Sequence, residues 1–169
     1  KGKDALTFMN LVYTNDFSKT KSMSGKYALM LGEDGMVKDD GIVCKINDQH
    51  FIATTTTGGA MNVLSHMEEY AQTEWPNLNV YMNSVTEQFA TFNISGPKSR
   101  IILSRVFSDI DFSNEKFPFM TFNKFNYLET EIRILRASFT GELGYEVYVP
   151  PKYALALWEK IFYYSKDFD

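Results

Sequence analysis

Few stretches of this 169-residue sequence carry side chains with chemistry to offer. One is Gly141-Glu142-Leu143-Gly144-Tyr145-Glu146, flanked on both sides by strand-like residues. Two glycines this close allow a tight turn or bulge with the Glu142 carboxylate at its tip. They also let the backbone approach a flat ligand whose ring N–H groups a carboxylate can accept. A second stretch is Asp39-Asp40, just after a hairpin signal, which reads either as a solvated flank or as an acid available for proton transfer. A third is Thr54-Thr55-Thr56-Thr57-Gly58-Gly59, β-rich until the glycines end it. Arg136 can pair with an acid or serve packing. His66 and Cys44 read as packed or surface residues. His50 and His66 stand too far apart for a familiar metal-ligand spacing, and nothing follows the G-x-G-x-x-G pattern of a dinucleotide site.

Composition narrows the possibilities. Seventeen basic against twenty-one acidic residues give a net charge of −4, which provides no electrostatic footprint for a phosphate backbone, so nucleic-acid binding is disfavoured. No apolar stretch approaches the ~20 residues that cross a bilayer. One cysteine excludes an internal disulfide, and the expected setting is soluble and cytoplasmic. The length suits one domain, expected to span residues 1–169 and, from its abrupt ends, to be a fragment of a longer chain cut on both sides.

The elements that must hold these residues follow from spacing. Leu6, Met9 and Tyr13 predict a helix from an Asp4 cap to about residue 12. Strands are expected over 27–31, 36–46 and 50–57, the first two joined through Asp34-Gly35, whose glycine supplies positive φ. A helix follows over 60–73, stopped before Pro76. Strands at 78–84 and 88–94, a short helix from Pro97 to about residue 103, strands at 119–127, 131–139 and 145–149, and a helix from Pro151 complete the chain. Its face is Tyr153, Leu157, Ile161 and Tyr164. Helices mixed with antiparallel hairpins predict an α+β fold.

The segment at Thr140 to Glu146 resembles the T-G-E-x-G-Y-E signature of aminomethyltransferases, the glycine-cleavage T-protein superfamily. Gly25-Lys26-Tyr27, Met30-Leu31, Gly35, Asp39-Asp40 and Gly96-Pro97 are similar to pieces of that family in the same order. Val12-Tyr13-Thr14-Asn15, the threonine run with its two glycines, Thr73-Glu74-Trp75-Pro76, Ser84-Val85-Thr86-Glu87-Gln88 and Phe117-Pro118-Phe119-Met120 look more specifically like the alpha-subunit group of heterotetrameric sarcosine oxidases. The resemblance covers essentially the whole chain. It implies the aminomethyltransferase folate-binding fold without its C-terminal barrel-like domain.

The resemblance also implies roles. Asp39 would be the catalytic acid beside the reacting nitrogen of tetrahydrofolate, and Tyr27 an aromatic contact. Thr56 would be a polar ligand contact where T-proteins tend to carry Asn, and Glu142 the acceptor for the pterin edge. The implied reaction passes a one-carbon unit from oxidised sarcosine to tetrahydrofolate, forming 5,10-methylenetetrahydrofolate, with FAD, FMN or NAD only in other domains or subunits. Folate, a small amine-derived substrate and other oxidase subunits are the implied partners. Two rival readings stand beside it. One is a different folate-dependent member of the superfamily, such as the glycine-cleavage aminomethyltransferase; the other is a non-catalytic scaffold domain.

Overall fold

The computed structural model describes residues 1–168; Asp169, the last residue of the expected domain, lies outside the described residues. The chain divides into two units, Lys1–Thr86 and the part from Glu87 onward. Both are α+β, as the mixed helix and hairpin pattern predicts. Among the described residues no helix is long and apolar enough to cross a membrane.

In the first unit, helix α1 (Ala5–Val12), strands β1 (Ser24–Leu31), β2 (Val37–Asn47) and β3 (His50–Ala53), and helix α2 (Ala60–Thr73) follow in order. The strands form an antiparallel sheet, β1-β2-β3. The β1–β2 turn forms at the predicted Asp-Gly pair, where Gly35 has φ +77 and the Asp34 carboxylate accepts from Met36 N at 3.0 Å. Phe8, Met9, Val12, Tyr13, Phe17, Met30, Val43 and Val63 share a buried cluster. Removing these side chains from water drives the unit together. Lys45, 4% exposed, donates to Phe17 O at 3.0 Å and pairs with Asp48 at 2.7 Å.

Three expectations need correction here. Strand β3 ends at Ala53 instead of running to residue 57. Thr54 N still donates to Ile42 O at 2.9 Å, but its hydroxyl takes the Ile42 N–H at 3.0 Å, after which the chain leaves the sheet. The predicted strand at 78–84 does not form. Its alternating Leu78, Val80 and Met82 do pack on the core, while its backbone pairs with the first residues of the chain, Tyr81 N to Lys1 O at 2.6 Å and Asp4 N to Asn79 O at 3.4 Å. Asp4 stands at the N-cap position of α1 without capping it; its carboxylate accepts from Asn79 N at 2.8 Å instead.

The second unit holds strands β4 (Ala90–Ser95), β5 (Phe122–Tyr127), β6 (Thr130–Leu135) and β7 (Gly144–Val149), with helices α3 (Ser99–Val106) and α4 (Ala154–Ser165). Its sheet runs β4-β7-β6-β5, antiparallel throughout. Leu103 of α3 and Leu157 and Ile161 of α4 meet Ile132, Ile134, Tyr145 and Val147 in its core, with Tyr153 and Tyr164 packed at the edge. Phe112 and Phe117 stack at 5.6 Å and both cross the ring of Tyr145.

Candidate functional site

Register decides where the two acids of Asp39-Asp40 point. Met30 pairs with Asp39, Leu29 with Asp40 and Tyr27 with Ile42. Directly paired residues project to one face and successive residues alternate. Asp39 therefore shares the core-side face of Met30, and Asp40 shares the opposite face with Leu29 and Tyr27. Burial agrees at the turn-proximal end of the two strands: Asp39 is 8% exposed, whereas Tyr27 is 49% and Leu29 43% exposed, and Asp40 is exposed; farther along the face of Asp40, Ile42 and Cys44 are buried.

On the core side, Thr56 Oγ1 donates to Asp39 Oδ1 at 2.6 Å, and Thr56 N lies 3.3 Å from Oδ1 and 3.4 Å from Oδ2. A carboxylate this buried requires such donors, because an unpaired buried charge is costly. A Cβ at Gly59 would stand 2.5 Å from both Asp39 Oδ1 and Thr56 Oγ1, so only glycine fits behind the pair. Tyr13 also feels this carboxylate: burial first, and then the charge of Asp39, push its phenol up to about 12.

The segment after β3 grips β2 at further points. A Cβ at Gly41 would stand 2.0 Å from Thr54 O, which makes that position another close backbone approach. Lys38 Nζ lies 2.9 Å from His66 Nδ1 on α2. Burial, then the Lys38 charge, hold the imidazole below its ordinary value. The His66 ring packs on Tyr70 at 4.5 Å, and the Tyr70 hydroxyl donates to Glu33 at 2.6 Å.

The other face of β1 and β2 presents Tyr27 and Leu29 beside the Asp40 carboxylate. The edge of β1 is held by the segment at Thr14-Asn15: Thr14 N donates to Leu29 O at 3.0 Å and Asn15 Nδ2 to Tyr27 O at 2.9 Å. An aromatic ring, an aliphatic side chain and one carboxylate offer area to a flat ring and an acceptor to an amine.

Of the residues expected from the sequence, Asp39 and Thr56 are brought into direct contact, and Tyr27 lies across the sheet from them. The Thr56 hydroxyl donates its hydrogen bond to Asp39. Glu142 belongs to the second unit, on an exposed turn closed by Gly141 at φ +84 and by Ser138 Oγ donating to Glu142 O at 2.6 Å. Gly144 serves a close approach to Ala137 O, 2.6 Å from where a Cβ would lie. Arg136 Nη1 donates to Phe117 O at 2.7 Å, which ties the residue just after β6 to the Phe117–Met120 stretch. Within the Asp39-Asp40 pair, the family resemblance implies a role for Asp39 alone and none for Asp40. The signal that would have found it is the strand period of two, counted from Tyr27 through the pairing register.

A family model described as GCVT N-terminal domain matches residues 1–169. The alpha subunit of sarcosine oxidase from Corynebacterium sp. (strain U-96) is 43% identical over 171 residues, covering 100% of this chain and 18% of that protein. An aminomethyltransferase from Thermoanaerobacter sp. (strain X514) is 33% identical over 171 residues, covering 99% of this chain and 44% of that protein. The crystal structure of glycine cleavage system aminomethyltransferase T from Bartonella henselae matches with a TM-score of 0.76 at 20% identity, over 95% of this chain and 41% of that one. This last likeness shows the fold. The chain spans less than half the length of each of these proteins.

Proposed function

The chain belongs to the GCVT N-terminal domain family, and on that premise we propose that it is the folate-binding, one-carbon-transfer module of an enzyme of the sarcosine oxidase alpha-subunit kind. The observation that carries this reading is the exposed patch that Tyr27, Leu29 and Asp40 form together on one face of β1 and β2. Tyr27 and Leu29 give a flat ligand apolar area to pack on. Bound tetrahydrofolate would supply the amine nitrogen that accepts the one-carbon unit of oxidised sarcosine, giving 5,10-methylenetetrahydrofolate and releasing glycine as the leaving amine.

The role expected of Asp39 passes, in this reading, to its neighbour. The Asp40 carboxylate offsets positive charge at the reacting amine and accepts its proton. Asp39, turned to the core and held by Thr56, supports the strand from behind. Glu142, on its exposed turn in the second unit, carries a carboxylate of the kind that accepts ring N–H donors in a charge-assisted pair, the role the family resemblance implies for it. Much of the advantage comes from holding two reactants together, which needs no covalent nucleophile. FAD, FMN and NAD chemistry belongs to other parts of the full-length enzyme or its partner subunits.

The test is calorimetric titration of tetrahydrofolate into the full-length protein, followed by turnover with sarcosine. Wild type binds, Tyr27→Ala weakens binding by about 1 kcal/mol, and Asp40→Asn keeps binding while lowering product formation ~100-fold or more. An intact protein that binds no tetrahydrofolate would sink the reading in favour of a scaffold. Turnover with dimethylglycine or an aminomethyl carrier, but not sarcosine, would keep the folate site and move the donor.

A further inference from the structure

We infer that Thr56 is a positioning residue: acting through Asp39, it fixes the stretch of β2 that carries Asp40, with Gly59 required for the contact. The inference rests on the reading of Asp40 given above.

The stretch around Asp40 is where β2 most needs external support. Its pairing with β1 shifts register between Met30 and Leu31, and its ladder to β3 begins only at Val43. A strand segment at a register shift, without a regular partner on its other side, has more freedom to twist or slip than one inside a regular ladder. The run from Thr54 onward supplies what is missing. Lys38 is tied to His66 and Asp39 to Thr56. Gly41 lies directly against Thr54 O, and Ile42 N is bonded by the Thr54 hydroxyl. Asp40 is the exposed residue in the middle of this pinned segment, so its carboxylate projects from a backbone fixed on both sides.

The chemistry at residue 39 supports the same view. Paired with Met30, which is 0% exposed, Asp39 occupies a core-facing position where an apolar side chain would avoid the desolvation cost of a carboxylate. What an acid adds there is a directional, charge-assisted bond to one hydroxyl and one N–H. Apolar packing at the same place would be less exacting about where the strand lies. Gly59 then follows from the bond, since any Cβ would displace either the carboxylate or the hydroxyl. Misplacing a reacting group by about 1 Å costs ~100-fold in rate, so a support of this kind has a kinetic signature.

The experiment is a kinetic cycle in the full-length enzyme with tetrahydrofolate and sarcosine, using Thr56→Val, Thr56→Ser, Gly59→Ala, Asp40→Asn and the Thr56→Val/Asp40→Asn double variant. Thr56→Val, which keeps the shape and removes the donor, is expected to lower kcat ~10-fold or more while KM for tetrahydrofolate stays within about twofold. Thr56→Ser recovers most of the loss, and Gly59→Ala reproduces it. The double variant is no slower than Asp40→Asn alone, because Thr56 acts only through that carboxylate. A rise in KM with unchanged kcat would make Thr56 a ligand contact, and losses that multiply in the double variant would make its effect independent of Asp40; either overturns the inference. If Thr56→Val does not fold, Gly59→Ala and its double with Asp40→Asn decide by the same criteria. Full activity of Asp40→Asn itself fails the functional reading instead, which keeps the two failures apart.

Discussion

Asp39 and Asp40 are adjacent in sequence and leave β2 on opposite faces: Asp39 is 8% exposed against the core, held by Thr56 Oγ1 at 2.6 Å, while Asp40 pairs across the ladder with the half-exposed Leu29. The two acids should therefore fail differently when removed. Asp39→Ala strips Thr56 of an acceptor for both its hydroxyl and its N–H, and is expected to cost about 1–3 kcal/mol of stability. Asp40→Ala removes an exposed side chain and should change stability by no more than about 0.5 kcal/mol. Urea unfolding of the two variants measures the contrast; equal costs would contradict the assignment of faces.

How far this was legible in the sequence depends on what each signal measures. The helix at 60–73 was legible because Gly58-Gly59 and Pro76 bracket a run with apolar spacing, and the hairpin because Asp34-Gly35 fixes its own φ. The strand predicted at 78–84 shows the limit. Alternating Leu78, Val80 and Met82 report that one side of an extended chain is buried; they say nothing of what its backbone bonds to, and here that is Lys1 and Asp4. The acid pair shows a related limit. Both residues follow the turn, and only the register, with its shift after Met30, says which one faces the core. The bond between Asp39 and Thr56 joins positions 17 apart and leaves no mark on local pattern.

Tyr13 carries a prediction at alkaline pH. It is 7% exposed, and burial together with Asp39 pushes its phenol up from about 10 to about 12. Between those values the folded chain keeps the proton and the unfolded chain releases it. The contribution of this group is thus fully present below about pH 10 and is lost as pH rises toward 12. Two pKa units correspond to roughly 2–3 kcal/mol. Tyr13→Phe should lack this component, so that its stability falls less steeply than wild type over that window in denaturant melts at stepped pH.

His66 predicts the acid side. Burial and Lys38 hold its pKa below the ordinary 6.5, so as pH falls below that value the unfolded chain takes up a proton that the folded chain refuses. Stability contributed at neutral pH declines as pH drops from about 6.5 through the folded value. His66→Asn preserves an acceptor for Lys38 and removes the titration. Its melting temperature should vary less with pH than that of wild type between pH 7 and 5, and an unchanged slope would show that His66 is not the group responsible.

Lys45 separates a buried hydrogen bond from a surface ion pair. Its side chain is 5% exposed, whereas that of Asp48, its partner at 2.7 Å, is 69% exposed. The same ammonium donates to Phe17 O at 3.0 Å, which anchors the short turn at Phe17–Lys19 to β2. Water and salt screen the Asp48 contact, so Asp48→Ala should cost no more than about 1 kcal/mol. Lys45→Met keeps the aliphatic stem packed but removes the donor to the Phe17 carbonyl, and should cost about 1–3 kcal/mol. The loss in Lys45→Met should persist at 1 M salt, where an exposed pair is screened within ~3 Å. If salt abolishes the difference between wild type and Lys45→Met, the stabilisation lies in the ion pair and the bond to Phe17 contributes little.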